Sequence, residues 1–167
     1  MLRRATAEDL GSIQVLLDAA FVPSKYESTL VGFVRNSGED YHDWVFQLDG
    51  QVVAYILYTQ ALREGESIGW HLAPVAVHPE HQSKGIGSQL IQQALLETPI
   101  ADGPVFVLGD PHYYERFGFM KTHSAQCPYD PGNEHFRALR WTELDAHFEA
   151  GYSDAFKKTE IAIENHC

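Results

Sequence analysis

The chain is poor in cysteine, in basic residues and in long apolar runs. Cys127 and Cys167 are its only two cysteines among 167 residues. They are far apart, so no disulfide framework is implied and a reducing, cytoplasmic setting is expected. Lysine and arginine number 12 against 23 acidic residues, a formal net charge of -11. That balance argues against nucleic acid or an anionic membrane as the main partner. An acidic surface instead attracts cations, protonated amines among them. The longest apolar run, Val52 to Tyr58, is far too short to span a bilayer. Arg3-Arg4 is not followed by an apolar run, so no signal peptide or twin-arginine signal is expected. There are nine histidines, but His78-x-x-His81 has no further ligands at metal spacing and no HExxH occurs. No metal is expected.

What is present is ordinary globular material, 44% hydrophobic and 21% charged, with length for one domain and a real core. Leu2 to Ala5 reads as a first strand. Thr6-x-x-Asp9 is a capping-box pattern ahead of a helical stripe at Leu10, Ile13, Leu17, Ala20 and Phe21. A second helix is expected over Lys25 to Arg35. Asp49-Gly50, between two β-rich runs, signals a hairpin, and Glu64-Gly65-Glu66 marks the next turn. Ser67 to Val77 is a long strand interrupted by Pro74, which removes one ladder donor and is expected to sit in a bulge. Val105 to Leu108 is a short buried strand. Asp110 and Pro111 are good first residues for a short helix that Gly118 stops. Phe119-Met120-Lys121 starts another strand, and Phe136 to Trp141 is expected to be the last. From Asp145 onward Phe148, Tyr152 and Phe156 recur every four residues, pointing to a helical or packed arm over 145–167 on a domain of residues 1–144.

The stretch that organises the rest is LAPVAVHPEHQSKGIGSQLIQQALL, Leu72 to Leu96. It reads strand, turn, glycine loop, helix, with Ile86, Leu90, Ile91, Ala94 and Leu95 on one helical face. A helix start of this kind leaves backbone N–H groups unpaired where the macrodipole favours an anion, a ready phosphate site. The P-loop order fails, because Lys84 precedes the glycines. The dinucleotide pattern fails too, with Leu90 at its third glycine. A nucleotide-binding regulator is therefore disfavoured.

Gln82-Ser83-Lys84-Gly85-Ile86-Gly87, behind the strand end Val77-His78-Pro79, resembles the acyl-CoA loop of the GNAT N-acetyltransferase superfamily, [QR]-x-x-G-x-[GA]. A second, independent match lies downstream. Tyr113-Tyr114-Glu115-Arg116-Phe117-Gly118-Phe119 is similar to that family's Y-x-[KR]-x-G-F, and LGDPHYYERFGF looks like a predicted-acetyltransferase subgroup of it. The resemblance covers roughly residues 1–141. It implies an α/β (α+β) fold: a mixed, mostly antiparallel sheet of six or seven strands, one parallel pair, and about four helices. In that family the parallel strands splay apart and the pantetheine arm of acetyl-CoA lies between them. Backbone groups around Val75, Ala76 and Val77 would then pair with the pantetheine, and an N–H near the bulge would hold the thioester oxygen. Gln82, Ser83, Lys84, Gly85, Ile86, Gly87 and Ser88 would cradle the diphosphate, with Arg116 from the second motif nearby.

The implied reaction is direct attack of a substrate amine on the acetyl carbonyl of the cosubstrate, acetyl-CoA, with no metal. An alkyl ammonium of pKa near ~10.4 is only about 0.04% neutral at pH 7, a penalty of roughly 4.6 kcal/mol that a base would relieve in part. Glu66 and His71 on the central strand are the candidates, with Glu66 slightly ahead. Period-2 alternation puts them on opposite faces unless a bulge intervenes. Tyr114, a phenol protonated at neutral pH, is the expected acid for the leaving thiolate. Cys127 has no base pattern nearby, and direct transfer to the amine needs no nucleophile from the protein. A catalytically silent acyl-CoA-binding or sensor module on the same fold is the alternative. The acceptor amine carries no motif; small molecules and peptides, and a monomer or a homodimer, are all compatible with the sequence.

Overall fold

Residues 1–165 are described by the computed structural model, so Cys167 and the end of the expected arm lie outside them. Six strands form one sheet in the order β1 (Leu2–Arg4), β2 (Tyr41–Leu48), β3 (Gln51–Arg63), β4 (Glu66–Val77), β5 (Val105–Leu108) and β7 (Phe136–Leu139). Every neighbouring pair is antiparallel except β4 and β5. Both hairpin turns use left-handed backbone, Asp49 and Gly50 at φ 49° and 79°, Glu64 and Gly65 at 51° and 82°. This matches the twist of the strands they join.

Helices cover both faces. On one lie α1 (Leu10–Ala20) and α2 (Tyr26–Asn36), whose Ile13, Leu17, Val31 and Val34 pack on Val45, Tyr55 and Leu57. The Thr6–Asp9 capping box starts this layer, and Arg3 clamps Asp9 at 2.8 Å. On the other lie α3 (Ile86–Ala94) and the short α4 (Pro111–Glu115), with Ile86, Leu90, Ile91 and Ala94 against Ala54, Ile56, Tyr58 and Leu72.

One irregularity decides where a ligand can enter. Ile56 pairs with Val75 but Tyr58 pairs with Leu72, so β4 spends one residue more than β3 at Ala73-Pro74. That is the bulge expected at Pro74. It shifts the alternation: Leu72 and Val75, three apart, both face α3, whereas Ala76 faces α1 and α2. The parallel pairing of β4 and β5 is confined to Trp70, His71 and Leu72 against Val105, Phe106 and Val107. Beyond the bulge the two strands part.

The C-terminal third departs from expectation. The strand expected from Phe119 reduces to one bridge, Met120 with Ala138, because Asn133 takes the Thr122 and Ala125 carbonyls and turns the chain away. The strand expected through Trp141 stops at Leu139, where Arg140 adopts φ 56° and its guanidinium caps the Ile100 and Gly103 carbonyls. Residues Phe148, Tyr152 and Phe156 do not share a helix. Phe148 lies on β8 (Phe148–Glu149), paired in parallel with β6 (Ala125–Gln126); Tyr152 lies in the connection; Phe156 lies on α5 (Asp154–Glu164), which packs on α2. Phe148 packs on the cluster around Phe106 and Phe136, Phe156 on the α1–α2 cluster, and Tyr152 touches both.

Candidate active site

The glycine loop behaves as a helix start without a side-chain cap. Ser83 and Gly85 take φ 64° and 79°, and Gly85 is the N-cap of α3 with no side chain to satisfy the first turn. The first intrahelical bond runs from Gln89 N–H to the Gly85 carbonyl, leaving the N–H groups of Ile86, Gly87 and Ser88 without a helical acceptor. A Cβ on Gly87 would stand 3.3 Å from the Tyr113 hydroxyl and 3.4 Å from a Val77 methyl, so the residue keeps the turn close to the strand end. Gln82 Nε2 donates to the Val77 carbonyl at 2.9 Å and ties the loop to β4. Arg116 donates to Ser88 Oγ at 2.6 Å, its guanidinium 4.8 Å above the Tyr113 ring. The resulting cleft of about 210 Å³ is lined by Val77, Gln82, Ser83, Gly85, Gly87 and Ser88. Lys84 is exposed at its edge. Unpaired amides, a helix N-terminus and a fixed guanidinium suit a diphosphate.

From this cleft the parted strands lead inward. His78 N–H donates to the Val53 carbonyl, so ladder alternation bonds Ala76 to β3 and turns the backbone groups of Val75 and Val77 toward β5. With β5 no longer paired there, this edge of β4 can take an extended ligand. Ala76 contributes its side chain to the α1–α2 core, and Ile86, the first residue of α3, is buried between that helix and the sheet.

At the end of the gap lies a cavity of about 490 Å³, whose lining includes His71, Leu72, Val75, Leu108, Tyr114 and Tyr152. Tyr114 and His71 reach it from opposite faces of the sheet. Tyr114 comes from α4, started by Asp110, which accepts from His112 N–H at 3.0 Å, and by Pro111. Its ring is held edge-on by Tyr113 and Phe119, and Gly109 lies so close that an added Cβ would fall 2.7 Å from Cε2. Burial first, then Tyr113 and Asp110, pushes the Tyr114 phenol well above its ordinary range, so it stays protonated.

His71 belongs to the α1–α2 face. It is 1% exposed and stacked on Tyr152, ring centroids 3.6 Å apart. Its Nε2 lies 2.9 Å from the Gly151 carbonyl, which can only accept, so Nε2 carries the proton and Nδ1 is left as an unpaired acceptor. Burial lowers the imidazolium to about 4, partly offset by that carbonyl. His71 is neutral at physiological pH. Glu66 stands exposed at the start of β4 opposite Arg63 and does not line the cavity. The same cavity takes Tyr26, Glu27, Tyr129 and Glu160 from α2, the loop after β6, and α5. No local pattern marks these four in the sequence; only the fold of the arm brings them together.

Known proteins share this fold. Residues 39–121 match the model of the acetyltransferase (GNAT) domain. The uncharacterized N-acetyltransferase YhbS of Escherichia coli is 33% identical over 131 residues, 75% of this chain and 77% of that protein. The crystal structure of E. coli YhbS in complex with CoA superposes with a TM-score of 0.83 at 27% identity, covering 94% of this chain and 91% of that one. A Brucella melitensis GNAT acetyltransferase in complex with acetyl-CoA gives 0.78 at 28% identity, covering 93% and 97%. With the six-stranded sheet, its single parallel pair and the glycine loop in place, these likenesses settle the lineage: the chain belongs to the GNAT acetyltransferase family.

Proposed function

We propose that this protein transfers the acetyl group of acetyl-CoA directly to a primary amine of a small molecule or peptide, with Tyr114 as general acid. The observation that carries the reading is the meeting of Tyr114 and His71 in one cavity from opposite faces of the sheet, where β4 and β5 part. The diphosphate is held by the amides around Gly85 to Ser88, with Arg116 and Ser88 beside it. The pantetheine runs along the free edge of Val75 and Val77. This leaves the thioester between the two side chains.

The two residues suit different halves of the reaction. The amine nitrogen forms a bond to the acetyl carbon, the carbon–sulfur bond breaks, nitrogen loses one proton and sulfur gains one. Tyr114, on the α3 and α4 side with the cosubstrate, keeps its proton until the thiolate departs. His71, on the α1 and α2 side, carries a buried Nδ1 with no hydrogen-bond partner, which in this reading accepts from the amine. With its own titration near 4, it is too weak to deprotonate a free ammonium, a step costing roughly 8 to 9 kcal/mol from the ~10.4 of an alkyl amine. Its role is to orient the neutral amine and to take the proton only as the new bond makes nitrogen acidic. Glu66, outside the cavity, is given no part. Cys127 is buried, with no disulfide partner among the described residues.

Release of CoA thiol in the presence of amines tests the reading. Tyr114→Phe lowers turnover at least tenfold with acetyl-CoA affinity nearly unchanged. Equal turnover in the variant removes Tyr114 from the chemistry, and no thiol release with any amine leaves only an acyl-CoA-binding module.

A further inference from the structure

The cavity continues past the reacting end, and its far wall is chemically different. Tyr26 and Glu27 in the first turn of α2 face Glu160 on α5 and Tyr129 in the loop after β6. Phe21 and Phe156 line the wall with them, and among the described residues no lysine or arginine lines the cavity. The carboxylates lie near both phenols. Burial and then Glu160 and Glu27 raise Tyr26 to about 12, and burial and then Glu160 raise Tyr129 further. Glu27 accepts from Ser24 Oγ at 2.8 Å. Glu160 has one basic neighbour, Lys157 at 3.4 Å, whose side chain is 75% exposed. Such a pair contributes little and is easily exchanged. Two half-buried carboxylates flanked by two phenol rings, in an apolar wall, attract a cation by charge and by ring quadrupole together.

That wall is not where the acetyl group is transferred. The reacting end is marked by Tyr114 and by His71, a cavity-lining side chain 1% exposed whose buried Nδ1 has no hydrogen-bond partner. Two ring contacts separate His71 from the far wall: His71 to Tyr152 at 3.6 Å, then Tyr152 to Tyr129 at 5.0 Å. An acceptor with one amine at His71 therefore has its far end among the carboxylates, after crossing an aromatic stretch.

Resting on the acetyl-transfer reading, we propose that the acceptor is a dication with an apolar spacer: one amine is acetylated beside His71 while a second ammonium or guanidinium is held by Tyr26, Glu27, Tyr129 and Glu160. A monoamine leaves the carboxylates with no cation beyond the exposed Lys157, and an amino acid of the same length places like charges together.

Three acceptors of equal chain length decide it: diaminopentane, pentylamine and aminopentanoate, compared by kcat/KM for CoA thiol release at low salt. Diaminopentane is expected to exceed pentylamine at least tenfold, with aminopentanoate the poorest. Glu160→Gln and Glu27→Gln, tested separately because both sites are half-exposed and tolerate the change, each lower the diaminopentane-to-pentylamine ratio at least threefold. Pentylamine matching diaminopentane, or a ratio unmoved by both variants, overturns the proposal and leaves acetyl transfer standing. Acetyl-CoA binding with none of the three acetylated also overturns it. Failure to bind acetyl-CoA at all removes the functional reading beneath it.

Discussion

Gly109→Ala is the sharpest probe of how Tyr114 is held. The added Cβ would lie 2.7 Å from Cε2 and 3.3 Å from Cδ2 of the Tyr114 ring. Carbon–carbon contacts are comfortable at about 3.5–4.0 Å, so the ring must retreat by roughly 1 Å. It has little room, since Tyr114 is 8% exposed with Tyr113 and Phe119 packed edge-on against it. The backbone itself tolerates alanine, because Gly109 is not among the residues at positive φ. Overpacking of this size costs about 1–3 kcal/mol of stability. A misplacement of about 1 Å can cost up to ~10²-fold in rate, and here the loss is bounded by that of removing the hydroxyl altogether. The expected result is a fall in kcat of at least about fivefold, no larger than that of Tyr114→Phe, with KM for acetyl-CoA within about twofold. The double variant completes the test: with no hydroxyl left to displace, Gly109→Ala should add almost nothing to Tyr114→Phe. Wild-type turnover in Gly109→Ala, or two losses that multiply in the double variant, refutes the reasoning.

His71 titrates near 6.5 when unfolded and near 4 when folded, so between these values the unfolded chain binds the extra proton. Its contribution is fully present above pH 6.5 and is lost as pH falls to 4, amounting to roughly 3 kcal/mol. Denaturant titrations across that window should show a shallower loss in His71→Gln than in wild type, and identical slopes contradict it. Asp43 accepts from Arg35 Nη2 and from the Tyr55 hydroxyl, each at 2.8 Å, where Arg35 and Asp43 side chains are 9% and 5% exposed. Asp43→Ala strands a buried cation and should cost about 3–5 kcal/mol, read as a melting temperature lower by roughly 10 °C; a shift of a degree or two would show the pair to be dispensable. Glu66→Gln should leave kcat within about twofold of wild type, since its carboxylate is exposed beyond the cavity, whereas a fall of tenfold would return it to the chemistry.

The sequence displayed those features that depend on a few neighbouring residues. Asp49-Gly50 demanded left-handed backbone, and Pro74 could not sit in an unbroken ladder. Gln82 to Gly87 could only be a loop ahead of an amphipathic helix. What it concealed depends on which face a residue occupies. A second bulge in β4, at Ile68, where Ala61 pairs with Gly69 but Leu62 pairs with Ser67, resets the alternation between Glu66 and His71, so their relation could not be read by counting twos. The arm was harder still. Phe148, Tyr152 and Phe156 look like helical positions, yet a strand, a connection and a helix place them in two clusters that Tyr152 bridges, because tertiary packing chooses apolar residues wherever the chain passes. Tyr26, Glu27, Tyr129 and Glu160 come from segments far apart in sequence with ordinary compositions, and nothing local joins them before α5 docks on α2.

A crystal structure with acetyl-CoA tests the central claim most directly. The account predicts the diphosphate on the amides of Gly85 to Ser88, the pantetheine along Val75 and Val77, and the acetyl carbon in the opening between β4 and β5, reached by Tyr114 from one face and His71 from the other. A thioester outside that opening, or a diphosphate bound away from the glycine loop, contradicts it.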